Sequence, residues 1–255
     1  MVRHRTISLI AISTAILAIT ACGYGAGTPP YGSPPPGSSG TPTPTATAGV
    51  PVIRIVEPAT DATVSTPVAL SGTANTFEAQ LVVDAQNVAG DTLCIRHVAA
   101  TSGSGTEGTW ATVLSIVPES ETDAPVVLRA YELSAKDGSI VNLVERAVTL
   151  SAERPAIVLT SPVCGDTVAP GGALSIQGRA TVFEAALTVE LRNAAGAVVF
   201  SRNFLSEEGG VESDFGELVT LPADLPGGFY DLVAFSLSAK DGSVQNEFPV
   251  QIVVQ

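Results

Sequence analysis

The sequence predicts an all-β protein built from two tandem sandwich domains, and three observations lead to this fold class. First, the heptapeptide Leu-Ser-Ala-Lys-Asp-Gly-Ser occurs twice without change, at 133–139 and 237–243. Second, shorter matches keep the same order, such as Gly-x-Ala at 72–74 and 178–180 and Phe-Glu-Ala at 77–79 and 183–185. Third, short β-branched runs alternate with turn signals, and no long helical period interrupts them. The chain therefore carries one β-rich unit twice.

The first 21 residues have the features of a secretory signal. Arg3 and Arg5 precede an apolar run, Ile7 to Ile19, that is too short for a comfortable membrane span. The run ends in Ile-Thr-Ala-Cys, which resembles the bacterial lipobox, and that resemblance implies acylation of Cys22 after cleavage. More than one acyl chain makes such anchoring stable. The alternative is an ordinary signal peptide cleaved nearby, with Cys22 incidental.

Residues 22–51 are rich in Gly, Pro, Ser and Thr and include three consecutive prolines at 34–36. Such a composition buries too little apolar surface to offset the entropy of ordering, so we expect a disordered stalk. At about 3 Å per residue, the stalk could hold the folded part up to roughly 85 Å from a membrane.

After Pro51 the pattern predicts seven strands in each unit, as in an immunoglobulin-like sandwich. Alternating apolar residues support several of them, for example Val68 and Leu70 or Val250 and Ile252. We place domain 1 at 52–150 and domain 2 at 156–255. Because only Ser151 to Pro155 joins them, we expect a fairly stiff rod. The strands are predicted near 52–56, 67–74, 79–86, 92–98, 109–117, 126–134 and 140–150, then near 156–160, 173–180, 185–192, 196–205, 214–221, 229–238 and 243–254.

Charge and cysteine content exclude several classes of protein. All 25 acidic residues follow position 56, and removal of Arg3 and Arg5 would leave ten basic residues and a net charge of −15. An acidic surface of this kind repels nucleic acid. Cys94 and Cys164 are too few for a disulfide-dense scaffold or a four-cysteine zinc site. They occupy non-equivalent positions in the two units, so the rod arrangement predicts two free thiols.

The repeated motifs supply the candidate site residues. Phe77 and Phe183 are expected in the core, and the adjacent Glu78 and Glu184 are expected to make a structural hydrogen bond, with a ligand contact as the alternative. Tyr230 follows a glycine turn and resembles the tyrosine corner of sandwich folds, whereas Val126 stands at the equivalent position of domain 1.

Two Asp-Gly pairs join the last two strands of each unit. Asp-Gly is a hairpin signal because glycine reaches positive φ without steric cost. One aspartate per loop offers too few oxygens for calcium, so we predict structural turns. The pairs are Asp137 with Gly138 and Asp241 with Gly242.

The sequence offers little for catalysis. His97 is the only histidine after the signal, and the chain has no Gly-x-Ser-x-Gly, His-Glu-x-x-His or Cys-x-x-Cys motif. An acid pair for glycoside hydrolysis stays open, but nothing singles one out. We therefore predict no catalytic residue, no metal site and no cofactor.

Each unit carries, in the same order, Pro-x-x-x-x-x-Val near its first strand, Gly-x-Ala, Phe-Glu-Ala and Ser-Ala-Lys-Asp-Gly-Ser. In this order of motifs each unit resembles the immunoglobulin-like domain of bacterial spore-germination proteins. The resemblance implies an envelope-facing sandwich without known catalytic residues, often attached to lipoproteins. The residues that carry it are Pro58, Val64, Gly72, Phe77, Glu78, Asp137 and Gly138, and again Pro162, Val168, Gly178, Phe183, Glu184, Asp241 and Gly242.

These expectations describe a bacterial surface lipoprotein on the extracytoplasmic face of the cell membrane. Its domains would act as a non-catalytic binding or structural module, with the membrane as one partner and an envelope protein or glycan as another. The alternatives are an envelope-glycan-binding protein that uses loop aromatics, a subunit of a spore-germination-type envelope assembly and, as the weakest, an undetected hydrolase.

Overall fold

The computed structural model describes residues 52–118 and 120–255. The predicted signal peptide at 1–21, the lipidation of Cys22 and the stalk at 22–51 lie outside the described residues. None of the helices formed within the described part is long and apolar enough to cross a membrane.

Domain 1 is a sandwich of a three-stranded sheet, ordered β1-β3-β6, and a five-stranded sheet, ordered β2-β8-β7-β4-β5. All pairs are antiparallel except β2 with β8. Its strands are β1 Ile53–Glu57, β2 Thr63–Val64, β3 Val68–Ala74, β4 Gln80–Gln86, β5 Thr92–Ala99, β6 Gly108–Leu114, β7 Ala124–Leu133 and β8 Ile140–Leu150.

Domain 2 repeats this topology, with one sheet ordered β14-β11-β9 and the other β10-β16-β15-β12-β13. The short β10 pairs in parallel with β16, as β2 does with β8. Its strands are β9 Ile157–Ser161, β10 Thr167–Val168, β11 Ala173–Ala180, β12 Ala186–Asn193, β13 Val198–Leu205, β14 Ser213–Thr220, β15 Gly228–Leu237 and β16 Val244–Val254. The all-β immunoglobulin-like fold class is therefore confirmed. Two-residue strands such as β2 and β10 are too short to show alternation in the sequence.

Each domain has its own hydrophobic core between its two sheets. In β3 the alternating Val68, Leu70 and Ala74 are buried, because successive side chains of a strand point to opposite faces. The glycine of Gly-x-Ala leaves room for an aromatic ring: a Cβ at Gly72 would lie 2.6 Å from the Trp110 ring. A Cβ at Gly178 would meet Phe215 at the same distance. These glycines are therefore packing positions.

The two domains belong to one compact unit and do not form the expected rod. Domain 2 lies against β5 of domain 1, and the two are linked by a disulfide between Cys94 and Cys164. The prediction of two free thiols is wrong. It assumed that the short linker extends the chain away from domain 1, whereas side-chain contacts hold domain 2 back against β5.

Candidate functional site

A one-turn 3₁₀ helix carries the Phe-Glu-Ala motif immediately before β4 and again before β12. Within Phe77–Ala79 the Glu and Ala have φ of 52° and 60°, and within Phe183–Ala185 the values are 55° and 59°. A left-handed backbone at a residue other than glycine costs about 1–2 kcal/mol. The phenylalanines of these turns lie at the surface, 59% exposed at Phe77 and 71% exposed at Phe183. The prediction that they belong to the core is wrong, because the strained turn holds them outside the sandwich.

Main-chain contacts hold the turn of domain 1. The Phe77 amide donates to the Glu132 carboxylate at 2.8 Å, and the Glu78 amide donates to Ser104 Oγ at 3.0 Å. Neither Glu78 nor Glu184 uses its carboxylate in a hydrogen bond or ion pair with any residue in the described part of the chain. The expected structural hydrogen bond is therefore not formed with any residue of 52–118 or 120–255, and each glutamate follows an exposed phenylalanine in the sequence.

The Asp-Gly pairs form the tips of the β7–β8 and β15–β16 hairpins. Gly138 and Gly242 both have φ of 72°. The Asp137 carboxylate accepts from the amide and the hydroxyl of Ser139, at 3.1 and 2.7 Å, and the second hairpin repeats these contacts. These hydrogen bonds, the serine hydroxyl first, lower the pKa of Asp137 and Asp241 below the ordinary value of 3.8. Both aspartates thus serve the turn itself.

Tyr230 lies at the start of β15 and is 95% buried. Its hydroxyl donates to the carbonyl of Pro226 at 2.9 Å, the backward bond that the tyrosine-corner resemblance implies. In domain 1 the equivalent Val126 is buried in the core and has no hydroxyl to make such a bond.

A buried ion pair on the five-stranded sheet of domain 1 was not foreseen from the sequence. Asp84 accepts two hydrogen bonds from Arg129, at 2.7 and 2.6 Å, and a third from the Tyr131 hydroxyl at 3.0 Å. Burial and then the Asp84 charge raise the pKa of Tyr131 to about 12. Asp84 sits on β4 and its partners on β7, so only the pairing of those strands brings them together.

The junction between the domains is built on β5. Cys94 lies on this strand and Cys164 lies just after β9, with their Cα atoms 5.0 Å apart. Beside the disulfide, the Ile95 side chain lies so close to Gly165 that a Cβ there would come within 2.8 Å. Val117 of domain 1 packs against the core of domain 2. The disulfide therefore sits within an apolar contact.

Polar contacts continue along β5. Arg96 forms an ion pair with Asp231 at 2.6 Å, and its side chain is only 10% exposed. The His97 amide donates to Gln251 Oε1 at 2.6 Å, and Gln251 Nε2 donates back to the His97 carbonyl at 3.1 Å. Gln251 thus pairs with the backbone of β5 as a neighbouring strand would.

His97 also stacks on Phe229 of domain 2, with ring centroids 4.1 Å apart and planes 19° from parallel. Burial lowers the pKa of this imidazole below its ordinary value of 6.5. The only histidine in the described part of the chain is therefore a junction residue.

The repeat does not duplicate this junction. The strand pairing aligns β5 with β13, so that Phe200 corresponds to Cys94 and Arg202 to Arg96. The hairpins align Val127 with Asp231. The exposed Arg202 pairs instead with Glu217 in its own domain. The junction chemistry is therefore specific to the contact between domain 1 and domain 2.

The comparison with protein families decides what these two domains are. The family described as the immunoglobulin-like domain of bacterial spore germination matches residues 52–139 and 156–243, more than half of the chain. The chain belongs to this family. A comparison with curated proteins finds no match.

Three solved structures to which this pair of family domains is similar have low sequence identity to it. Fibronectin(III)-like modules of Clostridium thermocellum CbhA are 12% identical, with a TM-score of 0.25, and the match covers 80% of this chain and 94% of theirs. The periplasmic chaperone SfaE is 13% identical, with a TM-score of 0.24 and coverage of 80% and 100%. The D1–D4 fragment of ICAM-5 is 13% identical, with a TM-score of 0.28 and coverage of 80% and 53%.

Within the two family domains, the repeated motifs lie in two places. The glycines of Gly-x-Ala are buried between strands, and the Phe-Glu-Ala turns and Asp-Gly hairpins lie at the surface. The single tryptophan of the chain, Trp110, is 97% buried, so its ring is not exposed as the loop aromatic that the glycan-binding alternative needs. Sequence reasoning missed Arg96, His97 and Asp231 as junction residues, since nothing local distinguishes them from ordinary surface residues.

Proposed function

We propose that this protein is a lipid-anchored component of the bacterial cell envelope that displays its two immunoglobulin-like domains as a non-catalytic binding or structural module. The anchor is Cys22, and the domains stand on the extracytoplasmic face of the membrane.

The observation that carries this proposal is the disulfide between Cys94 and Cys164. Disulfides persist in oxidising compartments outside the cytoplasm and are rare within it. The predicted secretory signal leads to the same compartment, independently of the structure. With two of the three cysteines paired, Cys22 is the remaining one, and it stands where the lipobox resemblance requires it.

A non-catalytic role is supported by the use made of the reactive side chains. His97 is stacked on Phe229 at the junction, and the carboxylate of Asp84 already accepts hydrogen bonds from Arg129 and Tyr131. Within residues 52–118 and 120–255, no group of three His, Cys, Asp or Glu side chains is placed to hold a metal ion.

A binding or structural role is supported by the fixed pairing of the domains and by the outward phenylalanines. The disulfide and the Arg96–Asp231 ion pair restrain the two sandwiches against each other. Each domain then presents one strained turn with an exposed ring, Phe77 in one and Phe183 in the other. Surface aromatics of this kind favour a contact with another envelope component, in line with the alternative of an envelope assembly subunit.

The test is the membrane partition of Cys22→Ala in the bacterial host. We expect the wild-type chain in the membrane fraction and the variant in a soluble or unprocessed form. The matched control, Cys94→Ser with Cys164→Ser, should stay in the membrane fraction. Mass spectrometry that finds an unmodified mature N-terminus elsewhere would refute the anchor.

A further inference from the structure

An apolar patch surrounds the tip of the β7–β8 hairpin in domain 1. Its members are surface side chains between 36% and 59% exposed, and we call them the hairpin patch: Phe77, Leu133, Ile140, Val141 and Leu143. Large apolar side chains that cluster on a surface mark sites of interaction with proteins or membranes.

The members of the hairpin patch lie on the Phe-Glu-Ala turn of domain 1 and on the two strands of the adjoining hairpin. Phe77 and Leu133 line one shallow cavity of about 200 Å³. Leu133 is paired directly with Ile140 across the hairpin, and Glu132 is paired with Val141. The Phe77 amide donates a hydrogen bond to the carboxylate of that same Glu132, and this bond joins the strained turn to the hairpin.

The repeat provides an internal comparison, because the hairpin tips of the two domains have identical sequences. In domain 2, Gln245 and Glu247 stand where the hairpin patch has Val141 and Leu143. The core face of the strand stays apolar in both domains, as Val148 and Ile252 show. Phe183, Leu237 and Val244 of domain 2 are as exposed as Phe77, Leu133 and Ile140, so the two domains differ in the apolar surface of Val141 and Leu143 alone.

Domain 1 is also the domain that the N-terminal segment enters, and it enters at the end that carries the patch. The Asn75 amide donates to the Val52 carbonyl at 2.8 Å, and Ile53 is paired with Ala74. Phe77 follows two residues after Asn75. A flexible chain of 29 residues, the number that separates Cys22 from Val52, has a root-mean-square span of about 30 Å, and a fully extended one reaches roughly 85 Å. A lipid anchor at Cys22 would therefore hold this end of domain 1 within that distance of the bilayer.

We propose that the hairpin patch inserts into the surface of the membrane to which Cys22 is anchored. This inference rests on the lipid anchor of the proposed function. The tip carries Lys136 beside Asp137, and Glu78 flanks Phe77, so ionic attraction to anionic lipid does not drive the contact. Burial of the apolar side chains drives the insertion. The lipid anchor favours it further, because it holds domain 1 at a high effective concentration near the membrane surface.

The experiment uses the lipidated full-length chain reconstituted in phosphatidylcholine vesicles. An environment-sensitive dye is attached at Lys136→Cys or, as the matched control, at Lys240→Cys in the identical tip of domain 2. Lipid-borne quencher should reduce the fluorescence at position 136 at least threefold more than at 240. A second variant, Val141→Gln with Leu143→Glu, copies the residues that domain 2 already carries and should abolish the difference while the chain still sediments with vesicles.

Each other outcome contradicts the inference in a distinguishable way. Equal quenching at both positions in sedimenting vesicles would overturn the insertion and leave the anchor intact. Failure to sediment would overturn the anchor and the insertion together. A fluorescence change at position 136 that appears only after envelope proteins are added would assign the hairpin patch to a protein partner and overturn the membrane contact.

Discussion

Cys94 and Cys164 form a disulfide across 70 residues of sequence and join a strand of one domain to a loop of the other. The bond crosses the junction in which Arg96 meets Asp231 and His97 meets Phe229. Domain 2 is therefore held against the side of domain 1, and the exposed turns of both domains are presented by one body.

The first prediction concerns the thiols. Denatured, non-reduced protein should yield no titratable thiol at Cys94 or Cys164, and digestion should give a 94–164 cross-linked peptide. Because the bond closes a 70-residue loop, Cys94→Ser with Cys164→Ser should lower the free energy of unfolding by about 4 kcal/mol through greater freedom of the unfolded chain. Two titratable thiols in the secreted protein would contradict the junction.

The second prediction concerns the ion pair at the junction. Asp231→Asn should lower the free energy of unfolding by about 2 kcal/mol, because Arg96 would keep a nearly buried charge without its partner. The control is Glu217→Gln, which breaks the exposed pair with Arg202 at the equivalent place in domain 2 and should cost much less, because solvent screens that pair. Denaturant titration measures the free energy of unfolding of both variants. A similar decrease in the two would argue against a buried junction.

The third prediction concerns the pH dependence of the junction. The folded-state pKa of His97 lies below 6.5, so the unfolded chain binds more protons at mildly acid pH. The contribution of neutral His97 to the free energy of unfolding should therefore be fully present above pH 6.5. It should decrease as the pH falls from 6.5 through the folded-state pKa. Arg96 and Asp231 are the charged groups that line the same groove.

Imidazole titration by NMR, together with unfolding at several pH values, measures this effect. His97→Gln should remove the dependence in this pH window. A folded-state pKa above 6.5 would reverse the sign and contradict the prediction.

The fourth prediction concerns the hairpin tips. Gly138→Val or Gly242→Val should each cost more than about 1 kcal/mol, because both positions have φ of 72°. Asp137→Ala should cost less, since its bonds to Ser139 lie at the surface. Melting temperatures compare the three variants. Equal and negligible shifts would show that the turns tolerate a β-branched residue.

The strands of the core could be predicted because their signals are local. Val68 and Leu70 alternate with the smaller Ala69 and Ser71, and the Asp-Gly pairs mark hairpins within a few residues. The duplication also predicted that both units share one topology, as the sheet orders show. Strands β2 and β10 escaped detection because two residues carry no period.

The Phe-Glu-Ala motif shows why a repeat alone does not assign a residue to the core. Sequence reasoning placed Phe77 and Phe183 inside, since large apolar residues are usually buried. Their orientation depends on the left-handed backbone that follows each of them. At Phe77 it also depends on the hydrogen bond that the main-chain amide donates to the carboxylate of Glu132, 55 residues away. No local pattern encodes such a contact.

The sequence by itself determined the number of domains, their fold class and the family, because these follow from local periodicity and from a motif order that occurs twice. Only the tertiary structure decided that Cys94 meets Cys164, that Asp84 meets Arg129, and that His97 belongs to a junction. Each of these pairs is separated by tens of residues or lies in different domains. Their proximity depends on strand pairing and on how one domain docks against another, which are properties of the whole fold.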